Sequence, residues 1–168
     1  HIFFSDHGTL YHRTATDPLC HTYSGGVATN VTNCYLPSVT YYNGYFYLIC
    51  HIGSDNGNVY MYRSSDGVTW TTLNNGNAVL TAGSGIWAYQ WSLSISIVND
   101  YIYLCVECAS QAQSSDSFGI GYSYDTIARL NAGTCNFATH AWQNFIVPQG
   151  GSPDIVYVPD RDQFILFY

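Results

Sequence analysis

Six cysteines, six histidines, four tryptophans and eleven carboxylates are the residues of this 168-residue chain best suited to chemistry. The cysteines are Cys20, Cys34, Cys50, Cys105, Cys108 and Cys135, an even number. Cys105 and Cys108 form one CxxC, and no second CxxC or HxxxH follows to complete a tetrahedral zinc site. Disulfides in a secreted protein are the better reading. Cys20 and Cys34 flank a short polar loop and are the first expected pair. Asn30-Val31-Thr32 in that loop is a glycosylation sequon, which makes Asn30 the expected glycan acceptor.

An amino-terminal histidine such as His1 can chelate copper through its amine and ring. Such a site needs a second histidine and a different kind of sequence. His7, His12, His21 and His140 are scattered and read as surface or packing residues. Trp87, Tyr89 and Trp91 are closely spaced after a Gly/Ser-rich segment. Flat aromatic faces stack on the C–H faces of sugar rings while polar tips take hydroxyls, so these three are expected to bind substrate. The competing reading is core packing.

The elements that position these residues repeat. Val39, Tyr41, Asn43, Tyr45, Tyr47 and Leu48 match Ile95, Ile97, Asn99, Tyr101, Tyr103 and Leu104 at one offset of 56 residues. A third copy runs from Pro153 to Tyr168, with two extra residues in its turn. Ser64-Ser65-Asp66 corresponds to Ser123-Tyr124-Asp125, and Gly8-Thr9-Leu10-Tyr11 to Gly57-Asn58-Val59-Tyr60. Strands are expected at 2–4, 9–13, 38–42, 45–51, 58–63, 93–98, 101–106, 118–123, 154–158 and 163–168. Asn43-Gly44 and Asn99-Asp100 mark tight hairpins, because these residues reach positive φ at little cost. Strand and turn alternate, and a repeat of about 55–60 residues selects a β-propeller with four strands per blade.

The fold class is thus all-β: about three β-propeller blades of antiparallel four-stranded sheets. One partial domain spans 1–168. It divides into the end of a blade at 1–35, repeats at 36–90 and 91–150, and the start of a blade at 151–168. Cys50 and Cys105 fall one register step apart in equivalent strands, which argues against pairing them. The remaining cysteine connectivity stays open. The chain has no initiating Met and no signal peptide, as in a mature product or a fragment. Three blades do not close a ring, so the expectation is a fragment of a longer propeller, with a neighbouring subunit that supplies the missing blades as the alternative.

Composition limits the partners. Apolar residues make up 47% and charged residues 9%, which suits a globular chain. Net charge is −7, with four arginines and no lysine. Such a surface repels polyphosphates, so nucleic acid and anionic membrane are poor partners. No run approaches the length of a membrane-spanning helix.

Pro37-Ser38-Val39, Asn43-Gly44, Tyr45-Phe46-Tyr47-Leu48 and Ser65-Asp66-Gly67-Val68-Thr69-Trp70 carry a resemblance. They resemble the blades of five-bladed β-propeller glycoside hydrolases of the arabinanase, xylosidase and fructosidase type. The last run is also similar to the Asp-box turn of sialidase-type propellers, one residue shorter. In these families acidic residues sit near the inner-strand starts, often just before the blade-opening proline. Here the equivalent positions hold Leu36, Ser92 and Ser152, which transfer no proton usefully at neutral pH. The resemblance implies two remaining catalytic candidates. Asp154 follows Pro153 on a blade-opening strand, and Glu107, the only glutamate, precedes Cys108 as in some fructosidase-type enzymes. It also implies a funnel role for His51. The bland alternative for any such carboxylate is turn bonding, which is the reading for Asp66, Asp100, Asp125 and Asp160. Asp55, between two strands, reads as a loop residue within reach of a ligand.

The expected function is a secreted carbohydrate-active protein that hydrolyses or binds a polysaccharide. The alternative is a non-catalytic extracellular glycan-binding or assembly module. Neither requires a cofactor, and a structural calcium ion on the axis is compatible with both. Carbohydrate is the expected partner, with self-association through exposed blade edges.

Overall fold

The computed structural model describes residues 1–54, 56–81, 88–110, 118–142 and 144–168. The first sheet contains β1 (Ile2–Asp6), β2 (Thr9–Arg13) and β3 (Val27–Ala28). The second contains β4 (Cys34–Tyr42), β5 (Tyr45–Ile52), β6 (Val59–Ser64) and β7 (Thr71–Thr72), paired in chain order. The third repeats that order with β8 (Tyr89–Val98), β9 (Tyr101–Ala109), β10 (Phe118–Thr126) and β11 (Val147–Pro148). A hairpin of β12 (Asp154–Val158) and β13 (Gln163–Phe167) follows. All pairings are antiparallel.

The expected hairpin residues make the turns. Asn43 and Gly44 have φ of 47° and 84°, and Asn99 and Asp100 have 50° and 65°. Positive φ at both central positions matches the right-handed twist of the flanking strands. The Tyr42 hydroxyl ties these two turns together. It donates to Asp100 Oδ1 at 3.0 Å and accepts the Asp100 N–H at 3.1 Å.

Apolar side chains of successive sheets meet in separate clusters. Leu10 and Val31 pack with Cys34, Leu48, Cys50 and Trp70. Ile49, Met61 and Leu80 pack with Leu93, Ile95, Leu104 and Phe137. Cys105 and Ile120 pack with Ile155. The alternation within each strand sends one set of residues to the preceding blade and the other to the following blade. On the last hairpin, Val156, Ile165 and Phe167 remain exposed.

The Asp-box-like turn behaves as its residues imply. Asp66 Oδ1 accepts the amides of Val68 at 2.8 Å and Thr69 at 2.7 Å, plus the Ser64 hydroxyl. Trp70 is buried, and its ring N–H reaches the Gly67 carbonyl. Asn30 secures the same turn from the first sheet. Its side-chain oxygen accepts the Trp70 amide at 2.8 Å, and its NH₂ donates to the Trp70 carbonyl at 2.9 Å. The sequon asparagine is therefore exposed, yet its amide already holds main chain. Asp125, its counterpart in the third sheet, bonds the Thr126 and Asn136 amides.

Several features depart from the expected pattern. β8 begins at Tyr89, four residues before the expected strand, because a bulge between Gln90 and Leu93 breaks the alternation. The outer strands β3, β7 and β11 have two residues each, too few for a period. A short helix, α1 (Ile127–Ala132), is capped by the Thr126 hydroxyl and ends at Gly133 with φ of 75°. The expected partners Cys20 and Cys34 have different settings: Cys20 is exposed, whereas Cys34 is buried beside Cys50.

Candidate functional site

Three inner strands, β4, β8 and β12, lie side by side and form one wall. Their hairpins close at Tyr42↔Tyr45, Val98↔Tyr101 and Val158↔Gln163. Counting four residues back from each turn gives Ser38, Ser94 and Asp154. Ser38 Oγ accepts the Ile95 amide at 3.2 Å, and Ser94 Oγ accepts the Ile155 amide at 2.9 Å. One position per blade thus takes a main-chain amide of the next inner strand. The exposed carboxylate of Asp154 occupies that same position and accepts the Ser94 hydroxyl at 3.1 Å.

A groove of about 350 Å³ runs over this wall. Ser38, Thr40, Tyr41, Ser96, Asp154 and Tyr157 supply its polar groups, and aliphatic residues supply its floor. Asp154 is the one carboxylate in that lining. A larger groove of about 610 Å³ lies on the other side of Tyr41, against His1, Phe3, Phe46 and Asp66.

The opening end of each inner strand is irregular. β4 is bulged between Tyr35 and Ser38, and β8 between Gln90 and Leu93. Leu36 and Ser152 both have φ of 49°, a left-handed conformation that costs a non-glycine residue about 1–2 kcal/mol. Leu36, Ser92 and Ser152 therefore occupy specially shaped positions, although none carries a carboxylate.

Glu107 and His51 are equivalent through the 56-residue offset. Both reach the opening end of the following blade. His51 Nε2 lies 2.8 Å from the Trp91 carbonyl, and Nδ1 lies 2.8 Å from the Gly57 carbonyl. Glu107 Oε2 accepts the Ser152 amide at 2.9 Å. A Cβ on Gly151 would sit 3.3 Å from the Glu107 carboxyl carbon, so glycine there lets the carboxylate approach. His51 is fully buried with both nitrogens on main chain. His51 thus lies against the backbone of Trp91 rather than in the lining of either groove.

The expected aromatic site is partly assembled. Tyr89 and Trp91 stack with centroids 6.2 Å apart at 14°, and both are partly exposed. Trp87 lies outside the described residues, as does Asp55. Sequence reasoning missed Ser38 and Ser94. Their signal was the repeat: the 56-residue offset joins the two serines, and alignment of Pro37-Ser38-Val39 with Pro153-Asp154-Ile155 gives Asp154 the same place.

Among the described residues, no three His, Cys, Asp or Glu side chains group as metal ligands. His1 Nδ1 does meet His12 Nε2 at 2.8 Å, and burial together with the amino-terminal charge lowers the His12 pKa. No described helix is long and apolar enough to cross a membrane, which leaves strand-built spans untouched.

No protein-family model matches the chain, and no curated protein matches it. Solved structures do. A family-32 β-fructofuranosidase from Bombyx mori superposes with a TM-score of 0.60 at 13% identity, over 97% of this chain and 35% of that one. A thermostable family-43 glycoside hydrolase gives 0.57 at 13% identity, over 82% and 42%. The native arabinanase of Bacillus subtilis gives 0.51 at 14% identity, over 82% and 48%. The fold is a partial β-propeller. The chain spans less than half the length of each of these proteins, and identities this low speak for the fold alone.

Proposed function

We propose that this chain is the groove-forming part of an extracellular propeller protein that binds a polysaccharide across its axial wall. The lining of the groove carries the reading. Hydroxyls of Ser38, Thr40, Tyr41, Ser96 and Tyr157 alternate with aliphatic surface, as the hydroxyls and C–H faces of a sugar do. The stacked Tyr89 and Trp91 offer an aromatic platform of the kind sugars use. The names of the structural relatives, a fructofuranosidase and an arabinanase among them, support carbohydrate as the ligand class. Six cysteines without zinc spacing support an extracellular setting.

One observation favours hydrolysis as a second reading. Glu107 bonds the main chain at Ser152, two residues from Asp154, so both acids flank one short segment. Glycoside cleavage needs two carboxylates on one cleft, about 5–5.5 Å apart for retention or about 6.5–9.5 Å for inversion. Only Asp154 lines the groove, while Glu107 serves a blade joint, so binding is the primary reading.

The test uses soluble arabinan, xylan and levan in affinity gels, with a parallel assay for released reducing ends. Retardation without release supports binding. Release that Asp154→Asn and Glu107→Gln each abolish transfers the assignment to hydrolysis. A chain that neither binds nor cleaves any of the three contradicts both readings.

A further inference from the structure

We propose that Cys34 and Cys50 form a disulfide that staples the first two strands of the second blade. Cys34 opens β4, and Cys50 lies near the end of β5. The register pairs Cys34 with Ile52 and Tyr35 with His51. Side chains alternate along a strand, so Cys50, two residues from Ile52, faces the same side as Cys34. Diagonal neighbours on one face of a sheet are within side-chain reach. Both residues have no exposed surface, and both lie in the cluster built from Leu10, Leu48 and Trp70. The Cys50 thiol has the Cys34 thiol beside it as hydrogen-bond partner.

The remaining cysteines face elsewhere. Cys20 is exposed in the first blade. Cys105 packs toward the last hairpin, and Cys108 and Cys135 belong to the cluster between the second and third blades. The Cys135 thiol contacts Asp125 rather than another sulfur.

The reaction requires a small disulfide oxidant of the glutathione type. One cysteine thiolate attacks it, forming a mixed disulfide and releasing one thiol. The second cysteine thiolate then attacks the protein sulfur of that mixed disulfide, closing the Cys34–Cys50 bond and releasing the second thiol. Two electrons pass from the cysteine pair to the reagent, and the two cysteine protons end on the two released thiols. The neighbouring Cys34 thiol and burial hold the Cys50 thiol far above its usual range, so folded Cys50 is a poor nucleophile. Exchange therefore belongs to folding, before β4 closes on β5. The finished bond is shielded from reductant in the native state.

The bond has a consequence for the site. Leu36 and Pro37 of the β4 bulge lie opposite Cys50, and His51 follows it. The staple fixes the opening end of one inner strand and the ring that holds Trp91.

The full chain is refolded in a glutathione redox buffer, denatured without reductant, alkylated with iodoacetamide and mapped by mass spectrometry after proteolysis. The expected result is an unalkylated, linked pair of peptides containing Cys34 and Cys50, about 2 Da lighter than the sum of the two free peptides. In Cys34→Ser, Cys50 becomes alkylated. Alkylation of both cysteines in the refolded chain, or Cys34 linked to Cys20, overturns the assignment. Mapping of the unaltered chain decides the matter even where the variant fails to fold.

Discussion

Ser94 Oγ accepts the Ile155 amide at 2.9 Å and lies 3.1 Å from Asp154 Oδ1, so one hydroxyl serves both the backbone and the acid of the next blade. Ser94 is buried. Ser94→Ala leaves the Ile155 amide without its acceptor. It is expected to cost about 1–3 kcal/mol, read as a lower urea midpoint at unchanged slope. Ser38→Ala is expected to cost less, because Ser38 is only partly buried and its bond to Ile95 is longer, at 3.2 Å.

His51 joins Gly57 and Trp91 by main-chain contacts at both ring nitrogens. His51→Leu removes both contacts while keeping an apolar volume, and leaves the part-buried carbonyl that accepted the ring N–H unpaired. A loss of about 2–4 kcal/mol in chemical unfolding is expected. A variant of native stability with lost sugar binding would support the expected ligand role instead.

Asn30 and Trp70 make a matched pair of bonds between the first and second blades. Asn30→Asp keeps the acceptor and loses the donor, so the Trp70 carbonyl faces an acceptor. The expected cost is about 1–2 kcal/mol by thermal or urea unfolding. Asn30→Ala loses both bonds and is expected to be at least as damaging.

Asp66 and Asp17 set an acid limit. Main-chain amides of Thr69 and Val68 hold the Asp66 carboxyl well below the usual carboxylate range. The side chain and amide of Thr22 lower Asp17. A depressed folded pKa stabilises the fold above the unfolded carboxylate pKa and loses that contribution as pH falls through the folded value. Thermal midpoints measured from pH 5 downward are therefore expected to fall below about pH 4. Asp66→Asn is expected to flatten that fall.

The blade pattern was legible because its causes are local. Asn43-Gly44 and Asn99-Asp100 specify hairpins through their own φ preferences, and the 56-residue offset carried the register to the next blade. The bulges at Leu36 and Ser92 were not legible, because a bulge breaks the alternation by which a strand is read. The same bulges hid the four extra residues at the start of β8. His51 looked like a funnel residue for a related reason. Its burial depends on the Trp91 carbonyl of the next blade, a partner 40 residues away. Glu107 and Asp154 were identified as acids of interest, while their main-chain and hydroxyl partners follow only from how successive blades pack.

The most direct test of the axial groove is a calorimetric titration with the polysaccharide that the gels retain, comparing the native chain with Tyr41→Ala. Tyr41 lines the groove and is 62% exposed, so its loss leaves the fold intact. Binding at least about tenfold weaker, with an unchanged unfolding midpoint, is the predicted result. Equal affinity in the two proteins would place the sugar elsewhere and contradict the groove as the binding site.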